Sequence, residues 1–472
     1  MQRRLGLAAK LVATAQRICR NYLPHACLLI SLILALTACR SSMFLAPEST
    51  EQSWVRGWGG AEADVGQALA LDPAGGLYLA GTTASVGAGN LDALLLSYDA
   101  DGALSWRASF GGTGADGALA VTADANAIYV AGSTASFSQQ GLSEYAELLL
   151  LSYNSAGTLN WRRTWAPVWL DVSPCQYCEA LAAAGDGAGG VYLAGYATGQ
   201  TPPAPGSSAL YWHYRPDGQL LGADYWQAAA STVARAITLD DDHGLWLAGE
   251  LLAESGAADV FVLGLDLSGS VQLAAGWGGA EWEQARALAW NSTGLYVAGL
   301  TESPGQGGFD ALILKLGSSG QLQWARSWGA AGVDELSGLA PAADGTIYAV
   351  GRTSSFNTVG HDILVLRFDA EGELLGAWRW EGNELDDARA ATIGSGALMI
   401  AGSGPATAGQ WWPINGVWEI LEAQLTTLSG SLQPATGLEG APEGVSEWGA
   451  AGEQLGGGGA DVCVQRRSLL SF

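Results

Sequence analysis

The chain has 472 residues, enough for several ordinary domains or for one large repeat architecture. An apolar fraction of 49% can build a substantial core, and 67 glycines indicate many turns, because glycine reaches positive φ without penalty. The formal net charge is −25 and only two residues are lysines, which excludes an extended basic surface; nucleic acid is therefore not expected as a partner.

The first predicted element is an export leader. A basic segment, 1–20, precedes the apolar run CLLISLILALTAC (27–39), which is too short for a comfortable membrane span. The tetrapeptide LTAC (36–39) matches the bacterial lipobox, in which the cysteine becomes the lipidated N-terminus. We therefore expect a lipoprotein signal peptide over 1–38 with lipidation at Cys39. An ordinary secretory signal or a single signal anchor is the alternative.

A lipidated tether is expected over 39–52, between the leader and the first repeat. Anionic lipid would repel so acidic a chain, so the membrane is expected to hold it through the acyl chains of Cys39 alone. This predicts a location outside the cytoplasm in the bacterial cell envelope, at the outer membrane or the cell surface. Arg40 stands where lipoproteins retained at the inner membrane carry aspartate.

Seven copies of one strand-and-turn pattern follow the tether. The first copy reads GGLYLAGTT from residue 75, and the glycine ending each copy recurs at spacings of 51, 63, 54, 50, 52 and 51 residues. A period near fifty indicates one supersecondary unit per repeat. These glycines are Gly81, Gly132, Gly195, Gly249, Gly299, Gly351 and Gly402.

Each repeat contains four strand-like runs separated by turn residues. In the second repeat these runs are 117–123, 127–133, 147–153 and 158–165. Four short strands at this period predict a β-propeller blade, so the chain is expected to be all-β, with a single seven-bladed propeller of four-stranded antiparallel blades over 53–432. A solenoid is the alternative, but such blades do not stack well end to end.

The residue types in each repeat predict which strand lies innermost. The first run is rich in small residues, as in QALAL (67–71), which suits the crowded axis of a propeller. The outer run carries tryptophan, as at Trp106 and Trp324, and large rings fill the gap where blades diverge.

The two ends of the repeat region predict how the ring closes. SWVRGWGG (53–60) matches SWRASFGG (105–112), so we expect the N-terminal strand to complete the last blade. Pro434 stands where the seventh unit should carry its outer tryptophan, and proline weakens strand pairing. Residues 433–472 are a C-terminal tail in which ADVCV (460–464) echoes ADVFV of the fourth repeat. The tail is a candidate degenerate repeat, packed against the closing blade or disordered.

A composite pattern runs through the repeats: W-x(4)-G-G-x(3)-D, then A-x-A-x-D-x-x-G-x-Y-x-x-G-x-T-x-S, an aspartate before an apolar run, and D-x-x-G-x-L-x-W. The first repeat carries it at Trp54, Gly59, Gly60, Asp64, Ala68, Ala70, Asp72, Tyr78, Gly81, Thr83, Ser85, Asp92, Asp99, Gly102 and Trp106. It resembles the bacterial SBBP repeat over about residues 53–432, and units three, four and seven depart from it most. The resemblance implies a seven-bladed propeller of cell-envelope and secreted proteins, without a defined activity.

Any ligand is expected on the face with long, variable loops. Three arginines share the position that opens the innermost strand, and they could form a charged rim that receives an acidic group. The alternative is that each arginine pairs with an acid of an adjacent loop. The position is occupied by Gln67, Gly117, Glu179, Arg235, Arg286, Ser337 and Arg389. The candidate acids are Asp64, Glu283, Asp334 and Asp386.

An insertion in the third repeat carries Cys175 and Cys178. A redox role would need a βαβ context, haem attachment would need histidine where Glu179 stands, and zinc would need two further ligands. We therefore expect a disulfide between the two cysteines that stabilises the loop in an oxidising compartment.

Four tryptophans lie in or beside long loops of the same face. Exposed tryptophan can stack on a sugar ring or hold a peptide, and packing between blades is the alternative. The acidic turns at 99–102 and 240–244 are not complete calcium loops, since Asp and Gly favour turns for backbone reasons. No metal and no cofactor is expected. The four tryptophans are Trp165, Trp169, Trp411 and Trp412.

The sequence favours binding over catalysis. It contains no HExxH, no recognisable Ser/His/Asp set and no phosphate-cradling loop. The expected function is a non-catalytic envelope lipoprotein, a binding or scaffolding propeller for an envelope protein, a peptide or a glycan. The alternatives are a carboxylate-based enzyme acting on polysaccharides, a quinoprotein-like dehydrogenase, and a purely structural surface protein.

Overall fold

The computed structural model describes most of the chain from Trp54 onwards. The described residues are 54–137, 146–167, 177–199, 206–229, 231–242, 244–253, 256–266, 269–302, 308–356, 360–381, 386–404 and six strands between 410 and 468. Every regular element among them is a β-strand, which confirms the predicted all-β class. No helix in this described part has the length and apolarity to cross a membrane.

A first strand, β1 (Trp54–Trp58), precedes six four-stranded antiparallel blades that follow one another along the chain. Blade 1 consists of β2 (Asp64–Leu71), β3 (Leu77–Thr83), β4 (Asp92–Tyr98) and β5 (Leu104–Phe110). Blade 2 consists of β6 (Asp116–Ala123), β7 (Ile128–Thr134), β8 (Glu147–Tyr153) and β9 (Leu159–Pro167). Blade 3 consists of β10 (Cys178–Gly185), β11 (Val191–Gly199), β12 (Gly206–Tyr214) and β13 (Leu220–Trp226).

The next three blades have the same strand order. Blade 4 consists of β14 (Ser231–Leu239), β15 (Leu245–Leu252), β16 (Ala258–Leu265) and β17 (Val271–Trp277). Blade 5 consists of β18 (Glu283–Asn291), β19 (Gly294–Thr301), β20 (Asp310–Leu316) and β21 (Leu322–Gly329). Blade 6 consists of β22 (Asp334–Pro341), β23 (Ile347–Thr353), β24 (Asp362–Phe368) and β25 (Leu374–Glu381). The seventh repeat begins with β26 (Asp387–Gly394) and β27 (Ala397–Gly404).

Five short strands after β27, which we call the belt, pair with the outer strands of blades 6 to 2 in reverse order. Each adds a fifth strand to its blade, and Pro434 lies at such a sheet edge, where proline is tolerated. The belt strands are β28 (Gln410–Pro413), β29 (Val417–Ile420), β30 (Thr426–Thr427), β31 (Gln433–Pro434) and β32 (Gly437–Glu439), paired with β25, β21, β17, β13 and β9.

The last strand, β33 (Asp461–Ser468), lies between β27 and β1 in a sheet of order β1-β33-β27-β26, which we call the closing sheet. The N-terminal strand thus completes the last sheet, as predicted. Gly402 pairs with Cys463 as Gly249 pairs with Phe261, so the sequence echo between tail and fourth repeat reflects one structural position. β31, β32 and β33 fall within 433–472, the predicted C-terminal tail; β31 and β32 pair with the outer strands of blades 3 and 2, and β33 pairs within the closing sheet.

The predicted seven-bladed propeller over 53–432 is confirmed as a propeller but corrected in its blades: six four-stranded blades are continuous in the described part of the chain. The seventh repeat supplies only two strands, because the chain after β27 next pairs with β25 of blade 6. The other two strands of the closing sheet come from the two ends of the repeat region.

The hydrophobic core lies between neighbouring sheets. Trp165 of blade 2 packs with Leu193 and Trp212 of blade 3, and Leu94 of blade 1 packs with Trp58 of β1 in the closing sheet. A single blade would leave both of its faces exposed, so the repeats bury their apolar side chains only when they stand side by side.

The outer tryptophans of blades 1, 2 and 5 each donate a hydrogen bond to the following blade. The indole Nε1 of Trp106 donates to the carbonyl of Ser155 at 3.0 Å, in the D-x-x-G-type turn of blade 2. Gly157 of that turn has φ 83°, and a Cβ there would lie 2.7 Å from the Trp106 ring. The turn glycine is therefore required both by its backbone conformation and by the indole of the neighbouring blade.

The acid that opens the innermost strand ties its own loop together. Asp334 accepts hydrogen bonds from the backbone N–H of Ala330 at 2.9 Å, from the hydroxyl of Ser355 at 2.6 Å and from that of Thr353. Asp64 likewise accepts from Gly60 N–H at 2.9 Å. These contacts explain why aspartate, threonine and serine recur together in the repeat.

Candidate binding site at the channel mouth

The innermost strands of the six blades and the closing sheet surround one cavity of about 460 Å³. Small and aliphatic side chains such as Ala68, Ala182, Ala287 and Ala390 form much of its wall, as predicted for strands that converge on an axis. The lining strands include β2, β6, β10, β14, β18, β22 and β26. We call this cavity the channel.

One residue in each innermost strand bulges out of register with the second strand. A bulge residue has no direct partner in the ladder, which re-aims its side chain. Gly132 pairs with Ala118 and Gly195 with Ala180, so the bulge falls on the next residue in each strand. This corrects the predicted equivalents Gly117 and Glu179. The bulge residues are Gln67, Leu119, Leu181, Arg235, Arg286, Ser337 and Arg389.

The arginine of blade 4 is held by a bidentate ion pair. Arg235 donates from Nε at 2.9 Å and from Nη2 at 2.7 Å to the two carboxylate oxygens of Glu250, on the second strand of the same blade. The Glu250 carboxylate also accepts from the amide of Gln284 in blade 5. Two parallel bonds fix the plane of the guanidinium group.

The arginine of blade 5 connects to blade 6. Arg286 donates from Nε to the Gln284 side-chain oxygen at 2.8 Å, and its Nη1 lies 3.0 Å from a carboxylate oxygen of Glu335. Arg352 pairs with the same carboxylate oxygen. The contacts therefore run without interruption from Arg235 to Arg352.

In the closing sheet, Arg389 donates to the Asp387 carboxylate from Nε at 3.0 Å and to the Gln67 side-chain oxygen from Nη1 at 2.9 Å. Gln67 belongs to blade 1, so this arginine joins the first and last sheets of the ring at the channel wall. We call Arg235, Arg286, Arg352 and Arg389 the mouth arginines.

Each predicted arginine thus pairs with an acid, but not with the acids named from sequence. The partners are Glu335 and Asp387, which lie on innermost strands and line the channel, and Glu250 on β15. Asp64, Glu283 and Asp334 instead accept hydrogen bonds from backbone N–H groups of their own loops.

Positive charge is crowded at this mouth. Burial lowers the pKa of Arg286 below its usual value; Glu335 opposes this effect, while Arg235 and Arg352 reinforce it. Burial together with Arg352 lowers the pKa of His361, against the opposing effect of nearby carboxylates. The side chains of Arg235, Arg286, Arg352 and Arg389 are 34%, 31%, 33% and 37% exposed, so about a third of each side chain is open to solvent.

Sequence reasoning missed Arg352, Glu250 and Glu335. Arg352 and Glu250 each follow the glycine that ends a repeat strand, the variable position of G-x-T, and Glu335 stands two residues before a bulge. The sequence signal that could have identified these three residues is a charged residue within an otherwise apolar strand. The bulge that brings these positions together is visible only in the strand register.

The structure describes some of the predicted tryptophan and cysteine residues but not others. Trp165 is 0% exposed and contacts Trp212 edge to face with ring centroids 5.4 Å apart, so its indole is core and does not face a ligand. Trp411 and Trp412 belong to β28 of the belt. Cys178 is buried at the start of β10. Cys39, Trp169 and Cys175 lie outside the described residues, so lipidation and the disulfide stay predictions.

Repeated four-stranded antiparallel sheets around a charged channel define this protein as a β-propeller. No family model and no curated protein matches the chain. Solved structures similar to it include Sqt1 of Chaetomium thermophilum bound to the N-terminus of a ribosomal protein, with 11% identity, 73% of this chain and 96% of that chain covered, and a TM-score of 0.39.

Two further similar structures belong to proteins of different activities. The periplasmic gluconolactonase of Pseudomonas aeruginosa has 15% identity, 66% of this chain and 84% of that chain covered, and a TM-score of 0.40. The endosialidase of phage phi92 has 8% identity, 75% and 64% covered, and a TM-score of 0.37. Similarity at this level transfers no function to the present chain.

Proposed function

We propose that this protein is a seven-bladed propeller, counting the closing sheet as the seventh blade, that binds an acidic group of a protein, peptide or glycan at the mouth arginines. The observation that carries the proposal is the gathering of four guanidinium groups at one channel mouth in a chain of net charge −25. Elsewhere such a surface repels anions, so this mouth is where an anionic ligand gains most from electrostatic complementarity.

The charge balance of the mouth supports an anionic ligand. Four arginines contact three carboxylates, those of Glu250, Glu335 and Asp387. Each guanidinium carries five N–H donors. An incoming carboxylate can therefore accept hydrogen bonds from the donors that remain, without displacing these partners. The built-in carboxylates orient the arginines in advance, which lowers the entropy cost of binding.

A binding screen with acidic glycans and acidic peptides tests the proposal. We expect the wild-type protein to bind at least one class, and the Arg235→Ala/Arg286→Ala/Arg389→Ala variant to lose that binding by tenfold or more. Arg215→Ala, which removes a cation from an exposed turn, is the matched control and should bind like wild type. If the triple variant still binds every ligand that the wild-type protein binds, the mouth is not the site. The melting temperature of the triple variant then shows whether the arginines stabilise the fold instead.

The quinoprotein-like alternative is a second candidate, favoured by the same four arginines. A tricarboxylate quinone needs several cations, and the mouth supplies them within one cavity. Titration with the free quinone, followed by tryptophan fluorescence, should show saturable quenching that the triple variant abolishes. Absence of saturable binding by the wild-type protein removes this candidate while leaving the glycan and peptide classes to the screen above.

We also propose attachment to the cell envelope through a lipid on Cys39, on the strength of the leader and lipobox described above. Metabolic labelling with an alkyne fatty acid in a bacterial host should mark the wild-type protein and not Cys39→Ser. A labelled Cys39→Ser protein would contradict this anchor.

A further inference from the structure

A second cavity lies beside blade 1, on the side that faces the closing sheet. It measures about 350 Å³ and is separate from the channel. It is lined by Val86, Gly87, Ala88, Leu94, Arg107, Ala108 and Ser109. Most of these described lining residues are apolar or small, and one of them, Arg107, is charged. We call it the seam cavity.

Comparison among the repeats explains why this cavity exists. The third residue after the second strand is Phe137 in blade 2 and Phe356 in blade 6. Each ring packs against an aromatic side chain from the outer strand of the preceding blade. The ring centroids are 5.1 Å apart for Phe137 and Phe110, and 6.0 Å apart for Phe356 and Trp328. The third residue after β3 in blade 1 is Val86, which lacks such a ring.

We call the boundary between two neighbouring sheets a seam. On the closing-sheet side of the seam next to blade 1, the aromatic side chain is nevertheless present. Trp58 ends β1, the outer strand of the closing sheet, as Phe110 ends β5. Val86 packs against the buried cluster that contains Trp58 and Leu94. The space that phenylalanine fills at the other two seams is therefore left open beside Val86 and Leu94.

Arg107 supplies the charge on the cavity wall among the described lining residues. Its guanidinium carbon lies 5.7 Å from the Trp58 ring centroid, and its Nη1 is buried with no hydrogen-bond partner in the described part of the chain. The equivalent Arg162 of blade 2 lies 5.8 Å from the Phe110 ring and 4.3 Å from the Phe137 ring. Arg107 thus has one ring contact where Arg162 has two, and it keeps a buried N–H donor unmet, which is costly.

We propose that the seam cavity binds a small aromatic carboxylate. The ligand ring takes the place that phenylalanine occupies in blades 2 and 6, against the apolar wall formed by Val86, Ala88 and Leu94. The ligand carboxylate accepts from Arg107 Nη1, a charge-assisted bond in a largely apolar surrounding. One ligand class therefore satisfies both features that distinguish this seam, the missing ring and the unmet donor.

Benzoate is the probe, titrated into the purified protein by calorimetry or by ligand-observed NMR. We expect saturable binding that falls at least tenfold in Val86→Phe, which restores the ring found at the other seams. Arg107→Gln, which leaves the apolar wall intact, should lower the affinity by a similar factor. Benzyl alcohol, which keeps the ring and lacks the charge, should bind at least tenfold more weakly than benzoate.

Two controls separate this site from other arginines. Arg162→Gln changes the equivalent arginine at a filled seam and should leave benzoate affinity unchanged. The triple variant of the mouth arginines should also bind benzoate like wild type, so failure of the proposed channel function leaves this result intact. Three results would each overturn the proposal. The first is equal affinity for benzoate in wild type and in both Val86→Phe and Arg107→Gln. The others are loss of binding only in the mouth variant and absence of binding by the wild-type protein.

Discussion

Two seams have the same backbone arrangement but differ in side-chain contacts. The first lies between blades 1 and 2, and the second lies between the closing sheet and blade 1. At the first, Trp106 donates to Ser155 O; at the second, the equivalent Trp54 covers the turn of Gly102, but its buried Nε1 has no partner among the described residues. Phe137 fills the first seam and Val86 leaves a cavity at the second. Closure reproduces the backbone arrangement more faithfully than the side-chain packing.

Chain connectivity differs between the two seams as well. Blades 1 and 2 are joined by short connections, whereas the closing sheet unites β1, β26, β27 and β33 from opposite ends of the repeat region. Non-local pairing costs more loop-closure entropy. The closing sheet is therefore expected to be the part of the ring most sensitive to loss of a strand.

Removal of residues 461–472 should have the largest effect. β33 pairs along its whole length with β27 and along five residues with β1, so its deletion leaves β1 without a partner strand and β27 paired with β26 alone. We expect a loss of about 5 kcal/mol or more in the free energy of unfolding, because whole backbone ladders are broken. Thermal and urea unfolding measure the change.

The matched control for that deletion is removal of 469–472, which spares β33 and should leave the unfolding midpoint unchanged. A variant lacking 461–472 that unfolds cooperatively at the wild-type midpoint would show that β33 does not support the ring.

Alanine at the turn glycines compares the two seams directly. A Cβ at Gly102 would lie 2.4 Å from the Trp54 ring, and one at Gly157 would lie 2.7 Å from the Trp106 ring; both glycines have positive φ. Gly345 has φ 86° and no atom within 4 Å of an added Cβ, so Gly345→Ala isolates the backbone cost of about 1 kcal/mol. Gly102→Ala and Gly157→Ala should each cost about 2–3 kcal/mol by urea unfolding.

The relative size of these two losses measures how tight the closure is. Similar values for Gly102→Ala and Gly157→Ala mean that β1 packs as rigidly as a continuous outer strand. A Gly102→Ala loss no larger than that of Gly345→Ala would mean that Trp54 yields, and that the closing seam is looser than an internal one.

The repeated features of the fold could be predicted from sequence, and the non-repeated ones could not. The period near fifty, the small innermost strands and the match of 53–60 to an outer strand predicted blades and their closure by β1. Nothing in the local pattern predicts that β28 to β32 pair with outer strands, because two- to four-residue strands carry little periodicity. The mouth arginines Arg235, Arg286 and Arg389 were found by aligning repeats, whereas Arg352 and its carboxylate partner depend on register between strands.

Phe137→Val should turn the filled seam into a copy of the open one. The substitution removes ring contacts with Phe110 and with the guanidinium of Arg162. We expect a loss of about 1–2 kcal/mol, smaller than at the turn glycines because no backbone is strained. The reverse change, Val86→Phe, should raise stability, and unfolding midpoints of both variants test the pair. Equal and opposite signs support a packing difference; destabilisation by both would show that the seams are not equivalent.

The smallest expected effect concerns a buried carboxyl group at the seam between blades 1 and 2. Asp92 is 1% exposed, accepts from the backbone N–H of Ala88 at 2.9 Å, and has Asp116 of blade 2 as its charged neighbour. Burial, reinforced by the charge of Asp116, raises the pKa of Asp92 above its ordinary value of 3.8. The folded state therefore holds the proton more tightly than the unfolded chain does.

The sign of the pH dependence follows from this raised pKa. The contribution of Asp92 to stability is greatest below pH 3.8, falls as the pH rises towards the raised pKa, and stays at its lower value beyond it. Asp92→Asn mimics the protonated carboxyl and keeps the acceptor for Ala88, so it should be more stable than wild type at pH 7, by about 1 kcal/mol, with the difference vanishing at acid pH. Urea midpoints of both proteins between pH 3.5 and 8 measure the two slopes. Parallel curves would mean that Asp92 titrates in the folded protein as it does in the unfolded chain. Repulsion between Asp92 and Asp116 across the seam would then not affect stability.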